Sequence, residues 1–206
     1  MSGGHSQFYY AKEFGQYRVL GGTIDDAAGE AYDKFAKMVG LGFPGGVRVD
    51  KHAQKGDSKK FKFPRPMITE KNLKLSFSGL KASAKRQLEK MPKEEIEENL
   101  DDLCASYQQA IVDVLISKFN RAVKSVEEDV NCVVLTGGVS ANSLLRSTSE
   151  AWAKENNLIL AVPPLRYCTD NAAMIGYAGI QRLNCGEVSE QSLAPSPKVY
   201  SGDFIV

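Results

Sequence analysis

The stretch VVLTGGVSANSLLR (Val133–Arg146) joins an apolar run to a helical pattern through Gly137 and Gly138. An apolar run that stops at glycines is typical of a buried strand, and a helix follows it. In α/β proteins, ligands gather at the carboxyl ends of strands, where a glycine turn lets backbone amides approach a phosphate. We therefore take Gly137, Gly138 and Asn142 as candidate nucleotide-binding residues. A plain strand-to-helix turn with Ser140 as N-cap explains the same stretch without a ligand.

Patterns on both sides of this stretch predict an α/β fold with a mixed sheet flanked by helices. Two β-leaning runs near the N-terminus predict an antiparallel hairpin. Later strands alternate with helices, which favours three layers. Apolar residues at steps of three or four from Lys93 to Val126 indicate one long amphipathic helix or two joined ones. The strand predictions cover residues 6–12, 17–24, 132–136 and 158–162, and the main helix predictions cover residues 28–39, 47–57, 93–126, 140–156 and 170–183, with another helix beginning near residue 78.

Bulk composition excludes several classes of protein. The chain has 206 residues, of which 43% are hydrophobic, so it can build a core. Its 26 basic and 25 acidic residues leave a net charge of +1, so any nucleic-acid contact must come from a local patch. Four dispersed cysteines and two histidines do not form a zinc finger or disulfide framework. No apolar run approaches the ~18 residues of a membrane span, and we expect a cytoplasmic protein without membrane contact.

The segment YCTDNAAMIGYAG (residues 167–179) is a second junction between a loop and an apolar helix. Asp170 stands at its start, where an N-cap would satisfy free backbone amides. The alternative makes Asp170 a carboxylate ligand for a metal ion. Either role places it at the same end of the sheet as Asn142.

An acidic pattern marks the segment TIDDAAGEAYDK (residues 23–34). Asp26, Glu30 and Asp33 are spaced so that their carboxylates share a helix face. A solvated acidic face is the ordinary explanation, and a group that faces ribose hydroxyls is the functional one. A third glycine turn, SGGHSQ, lies at residues 2–7.

A basic loop, KGDSKKFKFPRP (residues 55–66), mixes cations with rings. Single-stranded nucleic-acid surfaces combine the same groups. Most such runs are solvated loops, so RNA contact and plain solvation are both kept as interpretations. The residues concerned are Lys55, Lys59, Lys60, Lys62 and Arg65, with Phe61 and Phe63.

Seven segments closely resemble, in this order, motifs of the tRNA threonylcarbamoyladenosine transferases, the family called TsaD in bacteria. The segments are SGGHSQ, IDDAAGEAYDK, GFPGG, FPRPM, SFSGLK, TGGVSAN and YCTDNAAMIGYAG. Older annotation calls this family O-sialoglycoprotein endopeptidases or glycoproteases. The resemblance implies a ribonuclease-H-like lobe of the actin/hexokinase/Hsp70 ATPase-like fold. It also implies transfer of a threonylcarbamoyl group from threonylcarbamoyl-AMP to N6 of adenosine 37, in tRNAs that read codons beginning with A.

The resemblance also assigns roles to residues of this sequence. It implies that Asp33 contacts the ribose and that Asp170 is a metal ligand, the metal being one divalent iron or zinc ion. ATP or an adenylate is the implied ligand. The expected partners are tRNA and TsaB-like and TsaE-like subunits, with a homodimer left open. The residues expected to line the nucleotide or substrate site are Ser2, Gly3, Gly4, Asp33, Gly46, Gly137, Gly138, Asn142 and Asp170.

One feature departs from the family pattern. The other two metal ligands of the family are histidines of an HxxxH helix, whereas this chain has only His5 and His52. We expect residues 1–188 to be the C-terminal ATPase-like lobe, with a helical insertion at about 43–128 and a loosely packed tail at 189–206. We further expect metal binding to be weak or absent and transferase activity to be low.

In the complete enzyme, the resemblance implies that the metal polarises the threonylcarbamoyl group while helix N-termini hold the adenylate. Two alternatives remain. One is a non-catalytic nucleotide-binding or scaffolding lobe, for which the helix at 26–33 and the long helix from Lys93 would expose apolar stripes to partners. The other is a metalloprotease, which has no support because no HExxH helix is present.

Overall fold

The structure is a computed structural model, and it describes residues 4–194. The elements follow the order predicted from the apolar patterns, and the pattern from Lys93 forms two joined helices. In chain order they are β1 (Gln7–Glu13), β2 (Gln16–Gly22), α1 (Ala28–Met38), α2 (Gly45–Ala53), α3 (Ser78–Leu88), α4 (Lys93–Glu98), α5 (Leu100–Ser125), β3 (Cys132–Val134), a 3-10 turn (Gly138–Ala141), α6 (Ser143–Glu155), β4 (Ile159–Ala161), a second 3-10 turn (Leu165–Tyr167) and α7 (Ala172–Asn184).

Helix α5 is the centre of the core. Its Tyr107 stacks on Phe35 of α1 with ring centroids 3.9 Å apart, and Phe63 meets both rings edge-on. Tyr107 also donates a hydrogen bond from its hydroxyl to the carbonyl oxygen of Ala31, at 3.3 Å. Helices α1, α2, α3 and α5 therefore enclose one apolar cluster in which the large rings are buried.

The prediction of an α/β fold is confirmed, but the single mixed sheet is wrong for residues 4–194. β1 and β2 form an antiparallel hairpin, while β3 and β4 form a separate parallel pair of three residues each. Side chains, rather than backbone hydrogen bonds, connect the hairpin to the second pair of strands. Phe119 of α5 stacks on Phe8 of β1 at 6.3 Å and lies 4.9 Å from Trp152 of α6.

Helix α7 and one face of the β3–β4 pair are much less covered than the core. Helix α7 has no buried residue, and its Ile175 and Ile180 are 72% and 58% exposed. Val134 of β3 and Ile159 of β4 are also exposed. The expectation that α1 and α5 present apolar stripes to partners is wrong, because both helices bury these residues inside the chain.

Across residues 4–194, every helix is too short or too polar to span a lipid bilayer.

Candidate functional site

The glycine turn after β3 begins with a residue in left-handed conformation. Gly137 has φ 89°, a region that side chains other than glycine rarely adopt. A 3-10 turn follows, and Asn142 then caps α6 by accepting a hydrogen bond from the Leu145 amide at 2.9 Å. The interpretation of Ser140 as N-cap is therefore wrong, since Ser140 lies inside the 3-10 turn and is fully buried. The turn delays the start of the helix by three residues.

The Asn142 side chain joins three helices. Its Nδ2 donates hydrogen bonds to Oε1 of Gln108 at 2.6 Å and to Oδ1 of Asp50 at 3.2 Å. Asp50 also accepts from the backbone amide and the hydroxyl of Ser143, at 3.2 and 2.7 Å. Asn142 is only 7% exposed, so this network fixes the glycine turn against α2 and α5.

Asp33 lies beside the N-terminus of α2. Its Oδ1 accepts a hydrogen bond from the Gly45 amide at 2.7 Å. The two helices are so close here that a Cβ atom on Gly45 would lie 2.6 Å from Cβ of Ala36. Gly46 is different, because the nearest atom to an added Cβ is 4.0 Å away. Asp33, Gly46 and, through α2, Asn142 therefore belong to one connected group.

The predicted common face of three carboxylates does not form. Asp26 precedes α1 and binds Lys34 at 2.9 Å and Lys81 at 2.8 Å, while Glu30 binds Lys34 at 2.7 Å. Asp33 turns instead to α2. Burial by itself raises the pKa of Asp26, but the two lysines outweigh it and hold that pKa below its usual value.

Asp25 is a structural carboxylate that sequence reasoning missed. It accepts hydrogen bonds from both the amide and the hydroxyl of Ser78, the Ser76 hydroxyl and the Phe77 amide, at 2.5 to 3.2 Å. Burial raises the pKa of Asp25, but these hydrogen bonds outweigh it, and the pKa lies below its usual value. The motifs IDD and SFSG thus dock on each other at the start of α3. Asp25 and the two serines lie far apart in the sequence, so no local pattern predicts this contact.

The N-terminal glycine turn adjoins the start of α1. Ser6 is fully buried, and its Oγ accepts a hydrogen bond from the Ala28 amide at 3.0 Å. Gly4 lies two residues earlier and is exposed, and no atom of the described residues lies within 4 Å of an added Cβ. Ser2 and Gly3 lie outside the described residues, so their predicted role stays a prediction.

Asp170 is exposed and immediately precedes the cap of α7. The cap is Asn171, whose Oδ1 accepts from the Met174 amide at 3.0 Å, so the N-cap interpretation of Asp170 is wrong. Within residues 4–194, no group of three or more His, Cys, Asp or Glu side chains is arranged to hold a metal ion. The described residues therefore do not fit a metal ion by themselves, and the metal role of Asp170 stays a prediction.

The basic loop is held tightly against α5. Phe63 is 4% exposed and lies in the core, so this ring does not contribute to an exposed nucleic-acid surface. Lys60 pairs with Asp102 at 2.7 Å, and Arg65 pairs with Asp113 at 2.9 Å. Carboxylates of α5 thus offset part of the positive charge. An open cleft of about 500 Å³ lies here, lined by Ser58, Lys59, Phe61, Lys62, Arg65 and Gln109.

The structure defines an α/β protein in which a glycine turn and the N-terminus of α6 are joined to α2 and α5 through polar side chains. A sequence model of the tRNA N6-adenosine threonylcarbamoyltransferases matches residues 1–177. The chain belongs to this family.

Several curated relatives carry the same description. The protein from Bdellovibrio bacteriovorus is 56% identical over 204 residues, which are 99% of this chain and 59% of the relative. The protein from Thermosipho africanus is 43% identical, with 97% of this chain and 59% of the relative covered. For the protein from Wolbachia pipientis the identity is 42%, with 96% and 58% covered. The chain thus spans about three fifths of the length of these relatives.

Proposed function

We propose that this chain supplies the nucleotide-binding lobe of a tRNA-modifying transferase. The lobe has the ribonuclease-H-like architecture of actin-like ATPases and holds threonylcarbamoyl-AMP while the threonylcarbamoyl group passes to N6 of adenosine 37 of tRNA. The family match over residues 1–177 carries this proposal. TsaB-like and TsaE-like subunits are the proposed protein partners.

The geometry of three glycines leaves room for an adenylate. An added Cβ on Gly4 or Gly138 would meet no atom within 4 Å, and on Gly46 only one at 4.0 Å. Packing inside the chain therefore does not require glycine at these positions. A ligand that approaches the backbone closely gives a reason for all three.

The chain's own residues would bind and orient the substrate. The second carboxylate oxygen of Asp33 accepts a hydrogen bond from a ribose hydroxyl, since Oδ1 is already bound to the Gly45 amide. Backbone amides near Gly137 and Gly138 face the phosphate. The adenine amine of the tRNA attacks the carbonyl carbon of the threonylcarbamoyl group. The bond between this carbon and the phosphate oxygen breaks, so AMP leaves, and the amine loses one proton.

We further propose that the chain alone transfers little or no threonylcarbamoyl group. Its two histidines, His5 and His52, do not form the HxxxH pair that the resemblance assigns to the metal. His52 is already paired with Asp101 through Nδ1 at 2.5 Å. The remainder of the relatives' length would supply the missing ligands.

Glycine substitutions test nucleotide binding. Gly138→Ala should leave the thermal midpoint unchanged, because an added methyl group has room, but should weaken ATP or AMP binding about tenfold by displacing the ligand. Gly176→Ala in exposed α7 is the matched control and should not change affinity. Isothermal titration calorimetry measures both. Unchanged affinity in Gly138→Ala would exclude close approach of the nucleotide at this turn.

Nucleoside mass spectrometry tests the transfer. Unmodified tRNA is incubated with threonine, bicarbonate, ATP, the adenylate-forming enzyme and the partner subunits, with either this chain or the full Bdellovibrio relative. We expect threonylcarbamoyladenosine only with the full relative. Product formed by this chain would show that the transfer does not need the histidine pair.

A non-catalytic scaffold is the second candidate function, favoured by the exposed apolar residues of α7 and β3. Calorimetry separates the two candidates, since a pure scaffold would bind no adenine nucleotide.

A further inference from the structure

Arg146 of α6 contacts two separate loops. Its Nε donates to the carbonyl oxygen of Ser140 in the glycine turn, at 2.6 Å. Its Nη2 lies 3.1 Å from the carbonyl oxygen of Pro163 and 3.2 Å from Sγ of Cys168, both in the segment after β4. One planar guanidinium therefore spans the two segments that carry Gly137 and Asp170.

The same junction contains a contact between buried side chains. The Ser140 hydroxyl lies 3.3 Å from Sγ of Cys168, and these two residues are 0% and 3% exposed. Cys168 is two residues before Asp170, and Ser140 is two residues before Asn142. A shift of either loop would therefore have to break this junction.

Among the described residues, the Arg146 guanidinium has no carboxylate partner for its charge. In residues 4–194, no Asp or Glu oxygen lies within salt-bridge distance of its guanidinium, whose contacts are two carbonyl oxygens and a thiol. Lysine keeps this charge but lacks the planar fork that reaches several acceptors at once. Fork geometry, rather than charge alone, is what holds the two loops together.

We propose that Arg146 is a positioning residue that fixes the glycine turn at Gly137 and the segment of Asp170 in one relative arrangement, with Cys168 as the buried contact between them. This inference rests on the proposed function, because the arrangement it fixes is that of the adenylate site. Arg146 acts through backbone atoms of Ser140 and Pro163 and need not touch the ligand.

The test uses the full chain in EDTA and compares Arg146→Lys with Arg166→Lys. Arg166 is a matched control, since it lies in the same segment after β4 and its guanidinium stacks on the neighbouring Tyr167 ring. Peptide mass spectrometry follows iodoacetamide labelling of Cys168 and of Cys104, which is fully buried in α5. Arg146→Lys should label Cys168 about tenfold faster than wild type through local opening and leave Cys104 unchanged.

If Cys104 labelling accelerates equally, the substitution destabilises the whole chain. If Cys168 labelling does not accelerate, Arg146 does not hold the loops. Either result overturns the inference. Calorimetry with AMP gives the second readout. Arg146→Lys should weaken binding about tenfold and Arg166→Lys should not. Unchanged affinity in Arg146→Lys also overturns the inference. If wild type binds no AMP, the proposed nucleotide site fails, and the labelling still decides whether Arg146 joins the two loops.

Discussion

The α5-centred core and helix α7 treat their apolar residues in opposite ways. In the core, Phe35 and Tyr107 are buried and stacked, whereas Ile175 and Ile180 of α7 lie exposed. The candidate site lies across this division. Asp33, Asn142 and the glycine turn are fixed by core helices, while Asp170 stands in the exposed segment before α7. One side of the site is therefore preorganised, and the other depends on a few contacts.

The largest difference should come from truncating matched apolar side chains. Phe35→Ala should destabilise the chain by about 3–5 kcal/mol, because it leaves a cavity against Tyr107. Ile180→Ala should change stability by less than about 0.5 kcal/mol, since its side chain is already exposed. Urea unfolding followed by circular dichroism measures both. A large loss for Ile180→Ala would mean that α7 is covered in solution and would remove the contrast.

A smaller contrast separates two helix caps. Asn142→Ala should cost about 2–3 kcal/mol, because it removes the α6 cap and leaves buried Gln108 without its partner. Asn171→Ala removes only the exposed cap of α7 and should cost about 1 kcal/mol or less. Denaturant midpoints report both values. The reverse order would contradict the assignment of Asn142 to the preorganised side.

The Asp25 contact predicts a pH dependence. Because the folded-state pKa of Asp25 is lowered, its stabilisation is present above the ordinary carboxyl pKa and is lost as the pH falls through the folded value. Asp25→Asn should therefore cost about 1–2 kcal/mol at pH 7, with this cost shrinking towards pH 2. The control Glu30→Gln, in the first turn of α1, should keep the free energy of unfolding within about 0.5 kcal/mol of wild type. Urea unfolding at several pH values tests this, and a cost independent of pH would argue against a charged Asp25.

The smallest effect on stability should come from an ion pair between the basic loop and α5. Lys60→Ala removes an exposed ion pair with Asp102 and should change stability by less than about 0.5 kcal/mol, with no effect left at 1 M salt. Urea titrations at low and high salt measure this difference. A salt-independent loss would show that Lys60 packs on the core through its apolar stem rather than through its charge.

The sequence was sufficient for the order and type of most helices and strands. Apolar spacing identified the hairpin, α1, α5 and the strands around the glycine turn, because these periods follow from local backbone geometry. It was not sufficient for the helix caps. Asn142 and Asn171, rather than Ser140 and Asp170, hold the caps, since a short 3-10 turn or one extended residue moves the start of the helix. Nor did spacing reveal that Phe63 of the basic loop is a core residue.

By itself, the sequence determined the family, through seven ordered motifs, and the positions of the candidate glycine turns. Only the tertiary structure decided which polar groups meet. Asp50 and Asn142 are 92 residues apart, Asp25 and Ser78 are 53 apart, and Arg146 reaches Cys168 across 22 residues. Local patterns carry no information about such pairs, because each depends on how helices pack around α5. Packing also decided which apolar helices are covered, and it left the exposed surface on α7 rather than on α1 or α5.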